Sequence, residues 1–367
     1  MQGNGEHRAN DDAGLPDGAH AAAPASPFDR AAWFDLLTDY GFAGEGRVDA
    51  HGHAGDVTAW LPLRRDQPGH FAGLTNWYSF ALRPLYRAAI PGESRGPERA
   101  GSAVGDRSLD PGFLQGAVGG IGKGERDGAL VDLFSKLRKR AARLSLYPVP
   151  DADQADLATA LRAAGWWVKA TPAGDRHWLD LTGLTHDAWW ESRPGALKNT
   201  VKRKAKKGVV DIQLLTAFDP GSWAAYESIY AASWKPEEGH PALLRAFAEA
   251  ESARGTLRMG IARIAGIPVA AQYWTVEDGT AFIHKLAHVE DSLKASPGTL
   301  LSAALFRHVI DVDHVERVDF GTGNDGYKKD WMNRHEPLWR LEAFNPSRIA
   351  AWGPAIKAFA RSLTARE

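Results

Sequence analysis

The sequence contains no cysteine. That removes disulfides, thiolate metal sites and a cysteinyl acyl-enzyme together. It also has little net charge. With 44 Lys and Arg against 45 Asp and Glu, no global field draws the chain to nucleic acid or to an anionic membrane. Any anion must be bound by a local site. Long apolar runs are missing as well: no stretch reaches the ~18 uninterrupted residues of a spanning helix, so no membrane span is expected. Residues 1–27 lack the basic start and apolar core of a secretory signal. Rich in Gly, Ala, Asp, Asn and Pro, they read as a disordered tail, and the cytoplasm is the expected location.

What is present describes a globular chain. Its 367 residues are 44% hydrophobic and 24% charged, enough for two domains of ordinary size. Fourteen tryptophans can build cores or line apolar and sugar-binding grooves. Structure is expected to begin at Pro27-Phe28-Asp29, with an amphipathic helix through Trp33, Leu36 and Leu37. Strands are expected at Asp56–Leu63 and Leu74–Ser79, then a long Gly-, Arg-, Ser- and Pro-rich loop over 91–128. Within it, Gly119-Gly120-Ile121-Gly122-Lys123-Gly124 resembles a phosphate-binding loop only superficially. Ala117 stands where the Walker pattern needs glycine, and Gly124 follows Lys123 in place of Ser or Thr. A helix over 128–143, a strand at Leu144–Pro148, a helix capped by Asp151 and Asp153, and a strand at Arg176–Leu181 complete this half.

The second half opens with a basic helix carrying Lys198, Lys202, Arg203, Lys204, Lys206 and Lys207. Trp223, Tyr226, Tyr230 and Trp234 follow at helical spacing, and another helix spans 241–254. Strands at Leu257–Ile264, Val269–Val276 and Thr280–Ala287 are joined by the tight turns at Gly266 and at Asp278-Gly279, which makes them an antiparallel meander. A helix over 298–312, a strand at Val315–Phe320, a Gly-rich loop to Gly326, a strand at Leu338–Phe344 and a terminal helix close the chain. Both halves share an order of helices, hairpin strands, helix and strand, which suggests an internal duplication.

Meander, helix and strand in succession form a device for a phosphorylated donor. The start of a helix offers unpaired N–H groups and the positive end of its dipole. Ser296-Pro297-Gly298-Thr299 stands at that start, where Gly298 lets a ligand approach the backbone and Ser296 or Thr299 can donate. Metal ligation finds no good set. His51 and His53 are expected in a Gly-rich turn, and His284 and His288 bracket a strand end without a third ligand.

The runs Ala265–Ala271, His284-Lys285-Leu286-Ala287, Ser296–Leu301 and Asp319–Trp331 resemble the core of a GNAT acyltransferase. Together with Arg193–Lys198 and the basic helix, and with Leu161–Trp166, they are similar to the CelD-like branch, which is related to the FemAB aminoacyl transferases. The resemblance implies an α/β (α+β) fold of two tandem GNAT-like domains, each a mixed, mostly antiparallel sheet flanked by helices. The expected division is a tail at 1–27, an acceptor-side domain at 28–183 with its loop at 91–128, and a donor-binding, catalytic domain at 184–367. The donor site is expected between about residues 257 and 331. The usual GNAT phosphate loop is not matched, since Ala295 and Leu300 occupy two of its marker positions. Acyl-CoA, acyl carrier protein and aminoacyl-tRNA all stay open as donors, with acetyl-CoA or another acyl-CoA preferred.

The resemblance further implies direct attack by a neutral amine on a thioester, in a ternary complex and without a metal. His284 and Asp319 are the first candidates for the base, and Glu290 and Asp291 the second. A backbone N–H of the meander would stabilise the oxyanion, and Tyr327 would protonate the departing thiolate. Ser296, Gly298, Thr299, Leu300 and Lys328 are the expected donor contacts; Lys285, Trp234 and Trp331 are the expected acceptor contacts. The activity expected is N-acyl transfer to a small-molecule or glycan-precursor amine, as in exopolysaccharide or cell-envelope assembly. Two alternatives stand beside it: a FemAB-like peptidyltransferase that takes its donor from aminoacyl-tRNA through the Lys198–Lys207 run, and a non-catalytic binding protein on the same scaffold.

Overall fold

The computed structural model describes residues 26–42, 45–88, 121–323 and 326–364. Residues 119 and 120 of the Gly-rich run, most of the 91–128 loop and the 1–25 part of the tail lie outside them. The first half runs α1 (Ala31–Leu36), β1 (Arg47–Ala54), β2 (Val57–Gln67), β3 (His70–Gly73), β4 (Leu85–Ala88), α2 (Lys123–Arg138), β5 (Arg143–Pro150), α3 (Asp151–Ala163) and β6 (Trp167–Asp180). The second continues with α4 (His186–Glu191), α5 (Gly195–Ala205), β7 (Val210–Leu215), α6 (Pro220–Ala231) and α7 (Pro241–Ala253). Then come the meander β8 (Leu257–Ile264), β9 (Ile267–Glu277) and β10 (Thr280–His288), followed by α8 (Pro297–Asp311), β11 (Arg317–Thr322), the one-turn α9 (Lys328–Trp331), β12 (Arg334–Phe344) and α10 (Ile349–Thr364).

Several expectations shift. Helix α2 starts at Lys123, not near Gly128, because the Glu125 carboxylate accepts the Gly122 N–H and starts the helix five residues earlier. Lys123 then pairs with Asp127 and Asp156, so its ammonium is engaged within the fold. His51 and His53 lie on β1, not in a turn, and His53 hydrogen-bonds Thr58 across the hairpin at 2.9 Å. Among the described residues no group of three His, Cys, Asp or Glu converges on a metal position.

Among the described residues, twelve strands form one mixed sheet in the order β1-β2-β3-β5-β12-β6-β11-β10-β9-β8-β7, with β4 also pairing β2. The order has a centre. β6 and β12 pair antiparallel over most of their length, and on either side a final strand meets the other half: β12 pairs β5, and β6 pairs β11. Outward from there, β5 is parallel to β3 and β11 is parallel to β10. Each half therefore places its last strand in the ladder of the other half.

The halves differ at one position that matters. β10 runs unbroken along β9 apart from a bulge between Ile283 and Lys285. The equivalent edge of β2 is shared by β3 and β4, and the chain leaves the sheet between them. Leu74–Ser79 belongs to this excursion and is not the expected strand. Trp77 and Tyr78 of the excursion reach His240 and Glu238 of the second half, and the following Phe80 stacks on Phe28 and lies 5.5 Å from the His284 ring. The main apolar core accordingly mixes Phe28, Trp33 and Phe34 with Tyr226, Phe247, Tyr273 and Phe282. Arg30 fastens the same seam, pairing with Glu251 at 2.8 Å and Glu277 at 2.9 Å, all three largely buried.

Candidate active site

The parallel ladder between β10 and β11 covers only Thr280–Phe282 against Arg317–Asp319. Beyond Phe282, β10 continues to His288 while β11 bends at Gly321, so among the described residues that stretch of the β10 edge has no strand partner. Asp319 fixes the point of divergence. Its carboxylate accepts the Gly321 N–H at 2.9 Å, and Gly321 adopts a left-handed φ of 65°. A side chain at 321 would be strained, and its Cβ would sit 2.6 Å from the Phe80 ring. The excursion of the first half is thus seated on the bend of β11.

Asp319 is fully buried, and Arg176 of β6 holds its other oxygen, with Nε at 2.8 Å and Nη2 also donating. Burial alone would raise the carboxyl, but the Arg176 guanidinium, with Arg317 and the Gly321 N–H, outweighs it and keeps Asp319 below the usual carboxylate range. Arg176 reaches on to Glu336 at 3.3 Å. Asp319 is therefore ionised, paired and locked in the sheet.

His284 occupies the bulge of β10 and is partly buried. The rings of Phe28, Phe80, Phe247 and Tyr273 surround it within 5.7 Å, and Nε2 shares a 2.8 Å hydrogen bond with Thr275 Oγ1. Burial lowers its pKa to about 3, so the imidazole is neutral at neutral pH.

Lys285, next along, faces a different environment. Its ammonium lies 2.9 Å from Glu238 Oε2 and sits over the rings of Tyr78 (4.4 Å) and Tyr230 (5.2 Å). Burial holds it below the usual lysine range despite Glu238. Tyr78, from the excursion, donates its hydroxyl to Glu238, while Tyr226 approaches the same carboxylate at 3.4 Å. Burial and the Glu238 contact both push the Tyr78 phenol up. A cavity of ≈ 70 Å³ opens here between Trp33, Trp77, Tyr78, Phe80, His284 and Lys285. It has room for a few waters or a small polar head group.

The start of α8 lies beyond the far end of β10. Ser296 takes a left-handed φ of 56° and turns the chain into the helix, and its side chain makes no capping bond. Pro297 has no N–H and Leu300 bonds back to Ser296, which leaves the first-turn N–H groups of Gly298 and Thr299 as donors without intrahelical acceptors. Buried Gln272 of β9 pins this start in place, donating to Gly298 O at 3.2 Å and Ser302 Oγ at 2.6 Å while accepting from Trp274. A Cβ on Gly298 would come 3.4 Å from the His288 ring, against which half-exposed Trp234 rests at 4.3 Å. Lys204 of α5 donates to the Lys294 carbonyl on the approach to α8, so the basic helix flanks the same place.

Of the remaining expected residues, Trp331 and Lys328 do not take the roles foreseen. Trp331 is buried in the second core, stacked on Phe306 at 5.0 Å, and is a packing residue with no free face for an acceptor. Lys328 is also buried. Its ammonium donates to the Thr322 and Gly323 carbonyls, so it closes the loop after β11 and does not face a phosphate. Tyr327 is partly exposed, edge-on to Phe320. Glu238, Tyr78 and Thr275 escaped sequence reasoning. They stand on a loop, on an excursion and mid-strand, and the one signal available was the dense aromatic run Trp77-Tyr78-Ser79-Phe80.

Residues 196–329 match the protein family described as an Acetyltransferase (GNAT) domain. The chain has a GNAT fold. Solved structures similar to it over nearly their whole length carry the same fold at low identity. One is FemX, at 8% identity and a TM-score of 0.57, covering 91% of this chain and 94% of that one. Another is the C-terminal DUF2156 domain of a putative lysylphosphatidylglycerol synthetase from Agrobacterium fabrum, at 13% identity and 0.53, covering 89% and 95%. A third is L-PGS from Bacillus licheniformis, at 10% and 0.50, covering 94% and 99%. No curated protein matches the chain. Within the fold, the matched GNAT segment carries the divergence of β10 from β11 and the start of α8.

Proposed function

We propose that the protein is an N-acyltransferase that lays an acyl-CoA along the open edge of β10 and passes its acyl group to an amine at the Lys285–Glu238 end of the cleft. The observation that carries this reading is the divergence of β10 and β11 after Phe282 and Asp319, with the start of α8 beyond it. An open strand edge can pair with the amide-bearing arm of the donor, and its N–H groups can meet the oxyanion. Ser296, Gly298, Thr299 and Leu300 form the turn that would take the pyrophosphate. Trp234 and His288 flank it.

The proton chemistry moves off the residues first expected. A neutral His284 with a pKa about 3 and an ionised Asp319 held by Arg176 are both weak proton acceptors at pH 7. We assign them to shaping the cleft, His284 at the bulge and Asp319 at the bend. Glu238 then anchors the acceptor's ammonium and receives its proton, with Lys285 as the cation it exchanges. Tyr327 keeps the role of proton donor to the thiolate. The matching order of elements in the two halves supports two tandem GNAT-like units, in which the first supplies the acceptor wall through Trp77, Tyr78 and Phe80. Exposed indoles at the mouth, Trp77 and Trp234, suit a sugar-bearing amine.

The test is binding and turnover. Acetyl-CoA should raise the melting temperature, and Glu238→Gln should cut kcat by about 10²–10⁴-fold without loss of that shift. Unchanged turnover in Glu238→Gln would remove Glu238 from the mechanism. A second reading has one observation in its favour: the basic helix α5 docks beside the start of α8. An aminoacyl-tRNA donor would use it, and would appear as salt-sensitive tRNA binding with no response to any CoA ester.

A further inference from the structure

Helix α10 packs against the protein in an inverted manner. It buries Ala351 and Ala355, with Ala358 beside them, against Phe344. Its large apolar side chains point outward: Ile349 is 87% exposed, Ile356 69% and Trp352 49%, with Phe359 at their edge. These residues recur at spacings of three and four, so they form one stripe along the helix. Trp167 of β6, also exposed, lies 6.1 Å from Trp352 and widens the stripe into a patch. Isolated exposed apolar residues are ordinary on a protein surface, but a contiguous strip of two indoles, two isoleucines and a phenylalanine marks a contact surface.

The surroundings of the patch are basic. The segment from Lys136 to Arg143 carries five basic residues and no acid; Lys136 and Arg143 pair with Asp132 and Glu342, while Lys139 and Arg140 are exposed, and Arg348 joins the segment to α10 by donating to the Lys139 carbonyl. Lys357 is exposed on α10 itself, and Lys169 of β6 reaches the Ala358 carbonyl. From residue 346 to the end, the sequence has Arg348, Lys357, Arg361 and Arg366 with Glu367 as the one acid. In a chain with a net charge of −1, this end is locally cationic. No helix among the described residues is long and apolar enough to cross a membrane. A helix with an outward apolar stripe, indoles within it and cationic flanks is built to lie in an interface.

We propose that α10, with Trp167, docks the protein flat on an anionic lipid surface. Ile349, Trp352, Ile356 and Phe359 enter the headgroup boundary, and Lys357, Arg348 and the 136–143 segment face the acidic headgroups. The test uses the full chain with vesicles of phosphatidylcholine alone and of phosphatidylcholine with phosphatidylglycerol. Flotation should recover the protein with the anionic vesicles only, recovery should fall as salt rises, and tryptophan emission should shift to the blue on binding. Lys357→Ala should weaken the apparent affinity by about fivefold, since one basic residue near such a surface contributes about 1 kcal/mol. Ile349→Ser with Ile356→Ser should reduce binding at least roughly tenfold while leaving the melting temperature intact, because both side chains already face solvent. Failure to float with anionic vesicles overturns the proposal. So does a stable dimer in wild type that Ile356→Asp converts to monomer, because the stripe would then be covered by a second copy of the chain.

Discussion

At the residue scale, the buried groups of the cleft separate chemistry from scaffolding. Asp319 and Arg176 are both enclosed, and each satisfies the other. Asp319→Asn would leave the guanidinium buried with Glu336 as its remaining acidic partner. Removing one member of such a pair costs about 3–5 kcal/mol, so the urea midpoint should fall sharply and any loss of turnover should track loss of fold. A fully stable Asp319→Asn with normal thermal behaviour would contradict that assignment. His284 makes a prediction about pH. Its folded pKa is lowered by burial to about 3 from the ordinary histidine value of 6.5, so the unfolded chain binds the proton first. Its contribution to stability is complete above pH 6.5 and is lost as the pH falls toward 3. Melting temperatures measured across that window should decline in wild type. His284→Gln, which can keep a bond to Thr275, should flatten the decline. Equal slopes in the two proteins would show that other groups govern it.

At the element scale, the meander was readable because its turns are written in Gly266 and Asp278-Gly279, and β8 occupies the predicted residues. Helix α8 was readable from Pro297 and Gly298 for the same local reason. The excursion between β3 and β4 was not. Leu74, Trp77, Tyr78 and Phe80 look like a strand because they are apolar or aromatic, yet Trp77, Tyr78 and Phe80 reach across the cleft to His240, Glu238 and Phe282 of the other half. Trp331 misled in the opposite direction, since an exposed-looking aromatic beside a loop proved to be stacked inside a core. Glu238 lies in a connection with no periodic pattern, and its importance comes only from the three side chains brought to it. The position of α8 depends in turn on Gln272, which bonds Gly298 O, Ser302 and Trp274 within the core. Gln272→Leu would strand the Ser302 hydroxyl and the Trp274 N–H and cost about 1–3 kcal/mol. Because the helix start would lose its tether, the dissociation constant for acetyl-CoA should rise in the same variant. A lowered melting temperature with unchanged CoA affinity would mean that α8 is held by its apolar face alone.

At the scale of the whole molecule, the exchange of final strands decides what can fold alone. Residues 28–183 contain β5 and β6, but the strand that lies between them is β12. Without the second half, β6 has no neighbour and β5 keeps only its short parallel pairing with β3. Residues 184–367 fare no better, since both neighbours of β12 belong to the first half and β11 loses β6. The side chains tell the same story. Phe28 and Trp33 fill space against Phe247 and Phe282, and Glu251 would be left buried without Arg30. Exposed ladder edges and an opened core lead to aggregation. Each half expressed by itself should therefore be insoluble or lack near-ultraviolet circular dichroism, whereas the intact chain should melt in one cooperative transition. Co-expression of the two halves should restore a folded complex that responds to acetyl-CoA, since the peptide link near residue 183 lies outside both exchanged strands. A cooperative melt from residues 28–183 alone would show that the ladders of one half suffice, and would make the shared sheet an association of two finished units.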